Sequence, residues 1–419
     1  MFRVIAFASL AALVGCHRQA DAPGDAPSNL KVEPGEGQVT VSWDQQPGLT
    51  YWIFFQAGGT VTAGAPGVPL IFDAQSPRVV FPLANGIQYA FAMNATNRDS
   101  RAGPSTPVVS AVPRLAGASW TSGQSLGPQD LNGVAYNPTL NRLVAVGNAG
   151  TIFAGDLNYT STIPNPPGVT AWTPATSVPI GFQSNLSAVT FSGSVFVALG
   201  TDGSILTSPD GNTWTAATSV PSGGMNSIAF GIVSGALVYV AVGNGGNIFT
   251  STDLVTWILA ASNTTNDLYN VSLPKDAFVA TGANGTLLTS SDAITWTVQS
   301  SNTLTGLRGT TYGTGLAAGA SAQYVVVGDS GTILTSPDGT SWSLTPPPLS
   351  QDLRAIGFGS RFVAVGQGGA VVYSDDAINW SLSSVPAYSV PPPPDLASII
   401  YTPAMYLAVG ASGANAVSK

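Results

Sequence analysis

The chain has 419 residues and a formal net charge of −8, with 13 basic against 21 acidic side chains, a balance that argues against nucleic acid as a partner. Only 8% of residues are charged, while 48 glycines, 31 prolines and 44% hydrophobics supply turns and core for many short strands. The single cysteine, Cys16, and the single histidine, His17, leave everything beyond residue 17 without imidazole or thiol, which removes disulfides, Cys or His metal sites, and Ser-His or Cys-His nucleophiles from the folded part.

Residues 1–16 read MFRVIAFASLAALVGC. Arg3 and the amino terminus form a positive start, and Val4 to Val14 is an apolar run too short to span a bilayer as a helix. Leu13-Val14-Gly15-Cys16 resembles the lipobox of bacterial lipoprotein signal peptides. That resemblance implies removal of 1–15, lipid attachment at Cys16, and a tether over 16–26. Several acyl chains anchor stably where one does not. His17, in place of an Asp, favours the outer membrane.

From 27 to 114 the pattern is strands and turns. Val39, Val41 and Trp43 alternate with polar residues, and Tyr51 to Phe55 forms a denser aromatic strand. The run from Leu83 to Ala95, with Tyr89 at a corner, resembles fibronectin type III domains, as do Trp43 and the stretch from Gly103 to Val112. The resemblance implies a sandwich serving as a spacer or adhesive unit. Arg98 and Arg101 are expected in a solvated turn.

Beyond residue 117 the chain repeats. LNGVAY, LSAVTF, MNSIAF, LYNVSL, LRGTTY, LRAIGF and LASIIY start at Leu131, Leu186, Met225, Leu268, Leu307, Leu353 and Leu396, about 44 residues apart, the size of one propeller blade. A second strand follows each, then G-x-x-G, whose paired glycines suit a hairpin tip needing positive φ. Five units continue to Ser-x-Asp-x-x-(Thr/Asn/Ser)-Trp, carrying Asp210, Asp253, Asp292, Asp338 and Asp376 with Trp214, Trp257, Trp296, Trp342 and Trp380. The first unit keeps Asp156 but reaches Trp172 only after a Pro-rich insertion. The seventh reaches Ser418 with no Asp or Trp after it. The segment around Trp120 supplies the missing strand, so the expected architecture is all-β: a fibronectin-like sandwich, then a seven-bladed propeller over 117–419 closed by pairing at Trp120 and Ser418.

The boxes resemble the Asp-box repeats of sialidases, sortilin-like receptors and photosystem II assembly-factor propellers. Their Asp and Ser side chains are expected to bond local backbone. Each Trp is expected to bury its ring, an upper bound of roughly 4–6 kcal/mol from area. Within the inner strands, large residues such as Val189 and Phe191 alternate with small Ala188 and Thr190, the pattern of blades stacking large on small.

Chemistry is sparse. Asp130, Asp267, Asp352 and Asp395 each precede an inner strand and are expected to cap linker turns, with a cation site at the channel mouth as the alternative. Arg308 and Arg354 occupy matching positions and offer an anion site or, more simply, partners for Asp352. A sialidase-like enzyme needs an arginine triad and a Tyr/Glu pair, yet Glu36 is the last glutamate. Without His or Glu, acid–base work would rest on Asp alone. The reading is therefore a non-enzymatic surface lipoprotein without cofactor or metal, anchored to the membrane by its lipid, whose propeller binds a protein or glycan. A periplasm-facing assembly factor is the alternative, and a glycan-processing enzyme the least favoured.

Overall fold

The computed structural model describes residues 21–419 apart from 98–100, 158–168, 170, 218–223, 318, 384–391, 404 and 419. Cys16, His17 and Arg98 lie outside the described residues. The chain divides into two compact units, one built from most of 21–113 and the other from 114 onward.

The first unit holds a three-stranded sheet (Lys31–Gly35, Gln38–Ser42, Arg78–Val80) and a four-stranded sheet (Leu49–Ala57, Leu70–Ala74, Tyr89–Asn97, Val109–Ala111). The alternation at Val39 and Val41 puts both in the core beside Trp43, Tyr51, Ile53, Phe91 and Met93. The Ala84 amide donates to the Tyr89 hydroxyl at 3.1 Å, pinning the turn that enters the long central strand.

The second unit contains seven four-stranded antiparallel sheets, numbered here in chain order. Sheets 1 to 6 occupy 131–174, 186–216, 225–260, 268–298, 307–345 and 353–382. Sheet 7 takes three strands from 396–418 and its fourth, Thr121–Ser122, from the other end of the unit. Each inner strand contacts the inner strands on either side, and that of sheet 7 contacts that of sheet 1, so the contacts run in a closed cycle. Cores lie between sheets: Val144, Val146, Val189, Phe196 and Trp214 form one cluster across sheets 1 and 2. Small residues meet large ones at these joints. A Cβ added at Gly313 would collide with the Phe358 ring, and one at Gly359 with Tyr401.

The glycine pairs do two different jobs. In six sheets the first glycine is extended, with φ between −160° and −173°. It is required by close approach: a Cβ there would run into the carbonyl of the residue preceding the inner strand, as Gly147 against Asp130 and Gly366 against Asp352. The positive φ expected of both glycines belongs to the second and to the residue before it, where Ala149, Asn284, Ser330 and Ser412 lie at φ 53–54°.

Candidate functional site

Each Ser/Asp/Trp turn is a local hydrogen-bond knot. In sheet 2 Asp210 Oδ1 accepts from the Asn212 and Thr213 amides at 2.8 Å, and Ser208 Oγ accepts from the Gly211 amide at 2.8 Å. The Trp214 indole donates to the Gly211 carbonyl at 3.0 Å. The carboxylates of Asp253, Asp292, Asp338 and Asp376 accept from the same two amide positions. Amides of Thr295 and Ile294 hold Asp292 down to about 2, and those of Ser341 and Thr340 hold Asp338 well below the usual range. Carboxylates so engaged are poor proton carriers at neutral pH. Trp214, Trp296 and Trp342 are buried.

The closing sheet reproduces this turn from two distant pieces of chain; the sequence reading paired the segments at Trp120 and Ser418 but did not foresee the shared turn at Gly117. Ser418 Oγ accepts from the Gly117 amide at 2.7 Å, and the Trp120 indole donates to the Gly117 carbonyl at 3.1 Å. Gly117-Ala118-Ser119-Trp120 thus stands where Gly211-Asn212-Thr213-Trp214 stands in sheet 2. Ala116, fully buried, takes the aspartate's place. The Ser418 hydroxyl, with no carboxylate to meet, donates to the Ser119 carbonyl. The register Ala416↔Ser122 and Val417↔Thr121 completes the sheet. The first repeat departs from expectation: Asp156 is the last residue of the third strand of sheet 1 and pairs with Arg142.

The four aspartates before the inner strands neither cap their own linker turns nor stand free as a cation ring. Each reaches back to the tip of the preceding sheet. Asp267 accepts from the Gly245 amide, Asp352 from Ser330, Asp395 from Gly368, and Asp130 from Ser412, at 2.7–2.9 Å. Asn185 does the same for Ala149 at 2.9 Å. The donors are the left-handed tip residues, whose outward-turned amides no strand partner can satisfy. Five of seven joints carry this staple; Gly224 and Gly306 occupy the remaining two positions. Among the described residues no group of three or more His, Cys, Asp or Glu could hold a metal ion.

A second ring lies inside the first. In every sheet the register slips beside the second residue of the inner strand. Such a bulge re-aims a side chain, here into an axial cavity of about 240 Å³ lined by Asn132, Ser187, Asn226, Tyr269, Arg308 and Arg354 among others. The two arginines are not free to take an anion, nor do they pair with Asp352 as expected. Arg308 grips Asp329 on its own tip and lies 4.9 Å from the Tyr269 ring centre. Arg354 pairs with Asp395 at 2.7 Å. Asn132 and Asn226 each bond the first tip residue of their own sheet, Asn148 and Asn244, at 2.9 Å. The repeats held part of this signal: Asn at position two goes twice with Asn at the first tip residue and Arg308 goes with Asp329, whereas Arg354 goes with Gln367 and pairs instead with Asp395. Arg142 and Arg361, the remaining arginines beyond residue 140, pair with Asp156, the last residue of a third strand, and with Asp375, the residue just after one.

Sheets radiating around an axial cavity, inner strands innermost, define a β-propeller. Among solved structures the chain is similar to one described as "YCF48 bound to D1 peptide", with a TM-score of 0.55 and 17% identity over 71% of this chain and 96% of that one. It is also similar to YCF48 from Cyanidioschyzon merolae, with a TM-score of 0.52 and 17% identity over 72% and 98%. At that identity the likeness establishes the fold alone. No family model and no curated protein sequence matches the chain.

Proposed function

We propose that the chain is a non-enzymatic, lipid-anchored, periplasm-facing assembly factor whose seven-bladed propeller holds a segment of a partner protein while an envelope complex is built. The observation that carries this reading is the likeness to a YCF48 propeller described as bound to a D1 peptide; it favours the assembly-factor alternative over display at the cell surface. The chemistry of the ring agrees with it. The box aspartates are committed to backbone amides, and all four arginines beyond residue 140 are committed to aspartates. The arginines are thereby taken up within the ring, which leaves shape, amides and apolar surface as the larger part of what a partner would meet. We assign the first unit as a fibronectin type III-like spacer, supported by its three- and four-stranded sheets and by the Tyr89–Ala84 bond.

The test has two arms. Full-length tagged protein recovered from gently solubilised envelopes should bring down a discrete envelope complex, and antibody on intact cells should fail to label it. Surface labelling would return the assignment to a surface adhesin. Absence of any co-purifying protein would overturn partner binding.

A further inference from the structure

Six of the seven joints between neighbouring sheets are plugged at their axial end by two aliphatic side chains. One comes from position four of the following inner strand: Val134, Val189, Ile228, Val271, Ile356 or Ile399. The other comes from the preceding sheet, just before the first glycine of its tip: Val146, Leu199, Val242, Val327, Val365 or Val409.

The joint between sheets 4 and 5 lacks both. Thr281 and Thr310 stand at these two positions, and the aliphatic cluster of that joint includes neither. Asn270, the register partner of Thr281, takes a position held by Gly, Ala or Ser in every other sheet. Val279 and Val326 belong to that cluster. By register and alternation they share faces with Ser272, Thr281 and Thr310, so all four polar residues turn toward the one joint. Among the described residues, Asn270 Oδ1, Ser272 Oγ, Thr281 Oγ1 and Thr310 Oγ1 are buried without a hydrogen-bond partner. Thr281 is fully buried and Thr310 is 8% exposed. The joint before it shows the contrast. There Ser227 Oγ accepts from the Val271 amide at 3.2 Å and from Asn270 Nδ2 at 3.4 Å, which uses the Asn270 amino group and leaves its oxygen. A threonine has nearly the shape of a valine, so packing gives no reason for a hydroxyl here, and burying one unmet costs stability. Asn270, Ser272 and Thr310 also line the axial cavity of about 240 Å³, where Arg308 and Arg354 are neutralised by Asp329 and Asp395.

We propose that the side of the axial cavity formed by sheets 4 and 5 binds a small neutral polyol, its hydroxyls meeting Asn270, Ser272 and Thr310, with Thr281 beside them. A hydroxyl both donates and accepts, so it can donate to the Asn270 carbonyl oxygen and meet a threonine hydroxyl in either sense. A charged guest would find no unpaired counter-charge in the lining, and an apolar one would leave the four oxygens unmet. The volume lies below the roughly 300 Å³ at which ligand pockets usually begin, which limits the guest to about one sugar ring. The site is separate from the partner-protein reading and stands or falls without it.

Calorimetry and saturation-transfer NMR on the full chain test it, with glycerol, myo-inositol, glucose and galactose as probes and glucuronate as the charged control. At least one neutral probe should bind, and glucuronate should not. Restoring the aliphatic plug with T281V/T310V should weaken that binding by about tenfold or more. The same variant should melt a few degrees above wild type without ligand, because the hydroxyls it removes have no partners. T281S/T310S keeps the hydroxyls and should keep binding. Four results would overturn the assignment: no neutral probe binds, the probe binds T281V/T310V as it binds wild type, T281V/T310V melts at or below wild type, or crystals soaked in the binding probe show only water beside Asn270 and Thr310.

Discussion

Sheets 2 to 6 and sheet 7 solve one problem with different connectivity. In sheet 2 the turn that buries Trp214 forms within seven consecutive residues, whereas in sheet 7 its two halves, Ser418 and Gly117–Trp120, are separated by 301 residues at the Ser418–Gly117 bond. The local version can form as soon as its segment exists. The split version forms only when the ring closes, and it then ties both ends into one knot, as loop-closure entropy would require to be offset by contacts. The comparison shows that the turn's geometry survives where the aspartate is absent and Ala116 fills its place.

The largest effect should come from breaking the closing sheet. Truncation after residue 414 removes the strand Asn415–Ser418, and should lower the melting temperature by well over 10 °C and broaden the calorimetric transition. An unchanged transition would show that the ring does not depend on closure. Trp120→Ala should cost about 3–5 kcal/mol, matching Trp342→Ala, since the two indoles are 8% and 5% exposed; urea titration of the pair checks whether the split turn is worth as much as a continuous one.

A smaller effect separates the arginines. Arg361 is nearly buried and holds Asp375 through two bonds of 2.8 and 2.9 Å, so Asp375→Asn should destabilise by about 2–3 kcal/mol. Arg354 and Asp395 are each about one-third exposed; Arg354→Gln should cost about 0.5 kcal/mol or less. Equal losses would mean that the channel mouth is as rigid as the outer wall.

The staple should be worth about 1 kcal/mol per joint, as for a side-chain acceptor on an unpaired backbone amide. Asp352→Ala should show it, and adding an acceptor at Gly306 should not reproduce it, because that glycine lies close against Asp329. The smallest effect is in acid. Amides lower Asp292 to about 2 from an ordinary value of 3.8. A depressed carboxylate contributes stability above its unfolded value and loses it as pH falls through the folded one. The melting temperature should therefore hold from pH 7 to 5 and decline between about 4 and 2. The decline should be shallow because the group faces solvent, and shallower still in Asp292→Asn.

Repeats made the strands and the ring legible because every unit restates the same alternation. The pairing of Arg308 with Asp329 was harder to see, because a bulge at the second inner-strand position turns the side chain toward its own tip and away from the next sheet. Distance along the chain does not encode that turn. The staple aspartates were visible as a recurring position, but their partners were not, since the left-handed amides they serve arise only from the tip geometry.

Ring closure is tested most directly by a disulfide between Thr121 and Val417, register partners in the closing sheet, in a chain with Cys16→Ser. Opposed antiparallel residues lie about 4.5–5.5 Å apart at Cα, within disulfide reach. The account predicts spontaneous oxidation in air and a melting temperature that rises on cross-linking and falls back on reduction. Thiols that stay free in the folded protein, or form only dimers, would contradict it.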